Sequence, residues 1–206
     1  MSMEIKKSIK PVNYIEALKF LEDRAVKINK NEANELIWIL EHPSIFTAGT
    51  SFSKNDILDK SINIIKTTRG GKITWHGPGQ LICYLVINLN NRKKDIRKFV
   101  NILENSIIET LSEYGVKSYS DRKNIGIWVN RNKKREKVAA IGIKVKKWIA
   151  YHGFSLNISN DLSNYKKIVP CGIKDKSITS LKEINNKDYN RISEKIIKNL
   201  YSNLKI

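Results

Sequence analysis

A chain of 206 residues with 41% apolar side chains can bury a substantial core, which excludes a disordered or fibrous protein. Against 20 Asp+Glu stand 38 Lys+Arg, a formal charge of +18 spread through a sequence rich in Lys, Ile and Asn. The excess therefore reads as a solvated basic surface that would attract an acidic partner, not as one nucleic-acid-binding stripe.

In chain order, Tyr14, Leu18, Leu21, Ala25 and Ile28 recur at helical spacing and predict a helix over about 13–29. "ELIWILEHP" (35–43) reads as a buried strand stopped by Pro43, and "SINIIKTTRGG" (61–71) as a strand running into a glycine turn. "QLICYLVINL" (80–89) is a third, long strand. "DIRKFVNILENSIIETLSEYG" (95–115) carries one stripe of Ile96, Phe99, Val100, Leu103, Ile107 and Leu111, with Gly115 as the stop. Three β-like runs follow, "NIGIWVN", "KVAAIGIKV" and "WIAYHGFSLNI", whose short joins predict antiparallel pairing. The basic cluster "RNKKREK" (131–137) between two of them reads as a solvated hairpin loop. A last helix over 191–204 closes the chain. With no repeat, linker or internal boundary, the expected fold is a single α/β (α+β) domain, a mixed central sheet flanked by helices.

Two cysteines, Cys83 and Cys171, are too few for a disulfide framework, and no Cys/His spacing suits zinc. No apolar run approaches a membrane span or a leader, so a reducing cytoplasm is the expected location. Cys83 lies inside an apolar run and reads as core. Cys171 sits between Pro170 and Gly172, on a turn, where a thiol can face a cleft as a nucleophile. Such a thiol needs a neighbour that favours the thiolate. The candidates are His42, His76, His152 and the lysines of 137–147. In a regular strand Lys137 points with Ala139, Ile141 and Ile143 while Lys144 points the opposite way, so the two cannot share a pocket. Lys144, Lys146 and Lys147 suit a basic rim. The pattern alone does not choose among these partners.

The stretch "RGGKITWHGPGQ" (69–80) matches neither phosphate-binding glycine pattern and leads into a strand, so no helix N-terminus is offered to a phosphate. Its glycines suggest backbone held close to a ligand or to another segment, beside the polar Arg69, Thr74 and His76. His152–Gly153 is a second such pair inside a β-like run. The three histidines have no metal-like spacing.

Taken in order, "EHPSIFTAGT", "RGGKITWHGPGQLICYLVINL", "GIWV", "KVAAIGIKVKKWIAYHGFSLNI" and "VPCGIKDKSITSL" resemble the octanoyl-[acyl-carrier-protein]:protein transferases, the lipoyl(octanoyl) transferase family. The resemblance covers most of 41–181. It implies a fold like the catalytic domains of biotin and lipoate ligases, and a catalytic pair of Cys171 and Lys137. Its acyl pocket maps first onto Arg69, Gly70, Gly71 and Lys72, and then onto Ile73, Thr74, Trp75 and His76. It continues on Ala140, Ile141 and Gly142 and on Gly153, Phe154 and Ser155. The implied donor is octanoyl-acyl carrier protein, whose phosphopantetheine thiol is expelled. The implied acceptors are lysines on lipoyl domains of 2-oxoacid dehydrogenase complexes and on the glycine cleavage H protein. No cofactor of its own, no metal, no nucleic acid and no membrane are implied. An ATP-dependent ligase on the same fold would need no cysteine nucleophile, and a nucleic-acid-binding module is supported by charge alone.

Overall fold

The computed structural model describes residues 3–169 and 177–204. In chain order the first half comprises β1 (Met3–Lys7), α1 (Tyr14–Asn29), β2 (Glu35–Leu40), β3 (Ile45–Ala48), β4 (Ile64–Lys66), β5 (Ile73–His76) and β6 (Gln80–Asn88). The second comprises α2 (Ile96–Ser112), β7 (Tyr119–Ser120), β8 (Ile127–Arg131), β9 (Lys134–Lys146), β10 (Ile149–Asn157), β11 (Ser177–Ile178), α3 (Leu181–Ile184) and α4 (Ile192–Leu204). The main sheet runs β1-β2-β6-β10-β9-β8-β7, with β11 parallel to β9. β4-β3-β5 form a small second sheet.

β2, β6 and β10 are buried along their whole length, as strands covered on both faces must be. On one face α1 lays down Ala17, Leu21, Ala25 and Ile28 against Leu36, Trp38, Ile82 and Tyr84. Asn13 caps that helix by accepting from the backbone N–H of Ile15 at 2.9 Å. On the opposite face α2 and α4 pack Phe99, Leu103, Ile107, Ile196 and Leu200 onto Ile37, Cys83, Leu85 and Phe154. Asp95 caps α2 through the N–H of Lys98 at 2.9 Å. Two members of the expected stripe stay out of this core: Ile96 is 41% exposed at the first turn of α2, and Val100 is half-buried and borders a surface cavity.

The sheet is mixed and its three long helices lie where the periodicity put them, but β1, β3, β5, the two-residue β7 and β11 and the short α3 were not foreseen. β1 has no apolar run, only the parallel edge position beside β2. β3 and β5 are four residues each; β3 lies in a stretch given no assignment and β5 within the glycine-rich turn. Of the strand expected over 61–71 only Ile64–Lys66 forms. The cluster at 131–137 is less of a loop than its charge suggested. Its turn is Asn132–Lys133, both left-handed, as a two-residue hairpin turn requires. Arg131 donates to Glu136 at 2.7 Å, and Arg135 pairs with Asp121 and lies 4.2 Å over the Trp128 ring.

One ion pair ties the start of β2 to the chain beyond β6. Glu35, 3% exposed, accepts two bonds from Arg92 at 2.5 and 2.7 Å and one from the Asn88 N–H at 2.7 Å. Truncating Arg92 leaves that carboxylate buried without its cation. Arg92→Ala should therefore cost about 3 kcal/mol in urea unfolding, and Glu35→Gln in the same background should restore part of it. A loss within 0.5 kcal/mol, the usual size for a surface substitution, would sink the assignment.

Candidate active site

The direction of Lys137 is decided by one extra residue. Ile127 faces Ala139 and Trp128 faces Lys137, so Val138 is inserted on β9 with no partner on β8. Val138 and Ala139 both enter the core under α2 and α4, which a regular strand would not allow. Ile127 and Val129 face that core too, so Trp128 lies on the other face, and Lys137, directly opposite it, shares that face. The expectation that Lys137 points with Ala139, Ile141 and Ile143 is therefore corrected. The bulge turns it to the side of Ala140, Gly142 and Lys144. Lys137 is 3% exposed, and its ammonium donates to the Ile125 carbonyl at 3.0 Å and lies 4.7 Å from the centre of the Trp128 ring.

On that face the central strands carry small side chains, Ala140 and Gly142 on β9 and Ser155 on β10, beside Ile82 on β6. They leave a slot roofed by residues 69–76. An inner cavity of about 70 Å³ meets an outer one of about 320 Å³ that reaches Lys137, the two sharing Gly71, Lys72, Ala140, Ile141 and Gly142. The inner part is small and lined largely by apolar or small side chains, among them Ile73, Ile82, Ala140 and Phe154. Gly71 (φ 90) makes the tight turn in the roof, and the Gly70 N–H bonds the Ile143 carbonyl at 3.0 Å, fastening roof to sheet.

Arg69, 9% exposed, holds the roof rather than a carboxylate. Its Nη2 donates to the carbonyl and hydroxyl of Thr47, both at 2.9 Å, and its Nη1 to the Gly70 carbonyl at 3.0 Å. Ile73, Thr74 and His76 line the slot with Phe154 and Gly153, and Gly70 lines the outer cavity. Trp75 does not line either. Its ring packs with Phe46, Tyr165 and Ile168 between the small sheet and the segment after β10, and its Nε1 donates to Ser44 at 3.0 Å. Trp75 lies with Ile73 on the side of β5 that packs on Phe46, Tyr165 and Ile168, opposite to Thr74 and His76. Of Trp75 and Ile73, only Ile73 also borders the slot.

The three histidines, distant in sequence, gather beside the slot. His42 donates from Nδ1 to the Val12 carbonyl at 2.6 Å and accepts at Nε2 from the Tyr84 hydroxyl at 2.8 Å, which fixes its tautomer. His76 donates from Nδ1 to Gln80 Oε1 at 2.8 Å. The Gln80 amide in turn donates to Asn157 Oδ1 at 2.8 Å and to Tyr165 Oη at 2.9 Å. Burial, then the nearby His42, brings His76 down to about 3. Burial also lowers His42, and it brings His152 to about 3 with help from the charges of Arg69 and Lys144. Imidazoles this weakly basic are poor proton acceptors near neutrality, so Lys137 is the better candidate for handling a proton at this slot. Among the described residues no group of three or more His, Cys, Asp or Glu could hold a metal.

Cys171 lies outside the described residues. The chain leaves them after Val169, whose N–H bonds the Asp56 carbonyl at 2.7 Å. It returns at Ser177–Ile178, paired with Glu136 and with Lys137 itself. Cys83 is fully buried, and burial pushes its thiol far up, so it stays protonated. Tyr14, Tyr84 and His152 also line the slot. Tyr14 stood out only as a periodic helix position and Tyr84 only as part of a long apolar strand, whereas His152 is marked in the sequence by the glycine that follows it.

The family model of the lipoyl protein ligase A/B catalytic domain matches residues 13–200. An octanoyltransferase of Wolbachia sp. subsp. Brugia malayi is 47% identical, over 84% of this chain and 85% of its own length. An octanoyltransferase of Ehrlichia chaffeensis is also 47% identical, over 84% and 82%. Among solved structures, a bi-partite lipoate protein ligase from Thermoplasma acidophilum superimposes with a TM-score of 0.70. That match covers 100% of this chain and 85% of the other at 10% identity, a likeness of fold.

Proposed function

The chain belongs to the lipoyl protein ligase A/B catalytic-domain family and, within it, to the octanoyltransferases, and from that premise we propose that it carries octanoyl from acyl carrier protein to a lysine of a lipoyl domain through a thioester on Cys171. The observation that carries this reading is the buried Lys137, turned by a bulge toward a largely apolar slot. The pairing of Ser177–Ile178 with Glu136 and Lys137 supports it, because it returns the chain to Lys137 at Ile178, seven residues after Cys171.

In the first transfer the Cys171 thiolate attacks the thioester carbonyl of the donor. The tetrahedral adduct collapses with cleavage of the old C–S bond, and the phosphopantetheine thiol leaves with a proton. In the second, the acceptor ε-amine attacks the Cys171 thioester, an amide bond forms, and the enzyme thiol is regained with the proton the amine gives up. Lys137 favours the thiolate by its charge and relays these protons. Backbone N–H groups near Cys171 or along 71–77 serve the oxyanion. The alkyl chain lies along Ala140, Gly142, Ile82 and Ile73, which offer apolar surface and room.

The formal charge of +18 steers acidic carrier and lipoyl domains to the enzyme, an effect that fades with salt. Such a reaction belongs in the cytoplasm, and no helix among the described residues is long and apolar enough to cross a membrane.

Intact-mass analysis tests the reading directly. After incubation with octanoyl-acyl carrier protein and no ATP, the wild type should gain one octanoyl group that hydroxylamine removes, and Cys171→Ala should gain none. An adduct that survives in Cys171→Ala, or a strict need for ATP, overturns the proposal.

A further inference from the structure

One residue of the slot is held against the preferences of its own strand. His152 has φ 69 in the middle of β10, a left-handed conformation that costs a side-chain-bearing residue what it would not cost glycine. A regular strand sends neighbours to opposite faces. Here the His152 ring instead stacks on that of Tyr151, with centroids 5.3 Å apart and planes 16° apart, and meets Tyr84 edge-on at 6.1 Å. Both tyrosines belong to the core under α1, so the twist carries the imidazole to the face that holds the slot. The next residue has to be glycine, because a Cβ on Gly153 would lie 2.1 Å from the Cys83 carbonyl oxygen.

The ring is also unsatisfied. His152 is 2% exposed, and neither Nδ1 nor Nε2 has a hydrogen-bond partner among the described residues. Buried polar atoms without partners are rare, and they destabilise a fold unless something meets them. The transfer chemistry makes no use of this ring. Its place along the slot is informative. It stands opposite Ile143, one pair beyond Gly142–Gly153, whereas Lys137 stands at the far end of the same strand segment. From Lys137 to Gly142 the strand advances about 13–16 Å, allowing for the bulge.

We propose that His152 closes the acyl slot and sets the length of chain the enzyme accepts, an inference that rests on the transferase reading above. A chain that stops beside Gly142 keeps apolar surroundings throughout. Methylenes added beyond that point run into the imidazole itself, beside the charges of Arg69 and Lys144, and an apolar chain offers neither the ring nor those charges a hydrogen bond. The strained backbone is what puts a polar barrier there in place of the outward-facing side chain that strand alternation would supply.

The test compares octanoyl- and decanoyl-acyl carrier protein as donors for the wild type, His152→Gly and His152→Ala. Glycine suits φ 69, so the first variant removes the ring without straining the backbone. Removing the ring should raise the decanoyl-to-octanoyl ratio of kcat/KM by about tenfold or more, given the worth of two buried methylenes. A ring that served only the fold would lower both rates together and leave the ratio alone. In a variant too slow to assay, the thermal shift produced by decanoate relative to octanoate reads the same preference. A ratio within twofold of wild type in both readouts overturns the role of His152. A wild type that transfers no octanoyl from the carrier overturns the transferase reading itself, a separate and recognisable result.

Discussion

Between pH 7 and pH 5 the protein should lose about 4 kcal/mol of folding stability, because it keeps two imidazoles neutral in its interior. His76 and His152 sit at about 3 in the folded chain, against about 6.5 when unfolded. The folded values are the lower ones, so the unfolded chain takes up protons first as the pH falls. The stabilisation is therefore complete above pH 6.5 and drains away below it, toward the folded value near 3. Each ring accounts for about 2 kcal/mol over this window, and His42, lowered by its own burial, acts in the same direction. The carboxylates whose affinities are lowered by partners, such as Glu4, Glu113 and Glu194, drain stability at lower pH still. Urea midpoints at pH 7, 6 and 5 should fall steeply, and His76→Gln or His152→Gln should each remove roughly half of the fall. A stability flat across that window would mean that the cluster takes up protons without unfolding. Against a typical total of about 5–15 kcal/mol the predicted loss is large.

The same cluster shows where a sequence stops being readable. The helices at 14–29, 96–112 and 192–204 and the strands at 35–40, 80–88 and 149–157 were legible because burial on one or two faces imposes a period or an apolar run. β1, β3 and β5 were not. They are short, and their place in a sheet comes from neighbours far away in sequence. The site was legible in its residue types, since His76, His152, Arg69 and the glycines all stood out. Their partners were hidden. Nothing local announces that His42 bonds Tyr84, that Gln80 holds His76, or that Trp75 turns out of the slot its neighbours line. Backbone irregularities were the hardest to foresee. Strand parity gave Lys137 the wrong face because it assumes a regular ladder, and a single unpaired Val138 reverses every orientation on one side of it.

That reversal carries the largest expected effect on catalysis. Lys137→Met should lower octanoyl transfer by about 10²–10⁴ in kcat, the range for losing a positioned proton-transfer group. It should also leave a folded protein, since methionine keeps the length and the apolar stem of the buried side chain beside the Trp128 ring. Lys137→Arg separates the two roles assigned to the ammonium. A guanidinium keeps the charge but does not give up its proton. The Arg variant should therefore retain a reactive Cys171 thiol, read as its rate of alkylation by iodoacetamide at pH 7, while still failing to complete transfer to the acceptor lysine. Alkylation reports Cys171 alone, because the other thiol, Cys83, is fully buried. In Lys137→Met both readouts should fall together. If Lys137→Arg transferred octanoyl at the wild-type rate, charge alone would suffice and no proton would pass through residue 137. If Lys137→Met alkylated and transferred like the wild type, the bulge at Val138 would be a feature of packing, and the catalytic base would have to be sought elsewhere around the slot.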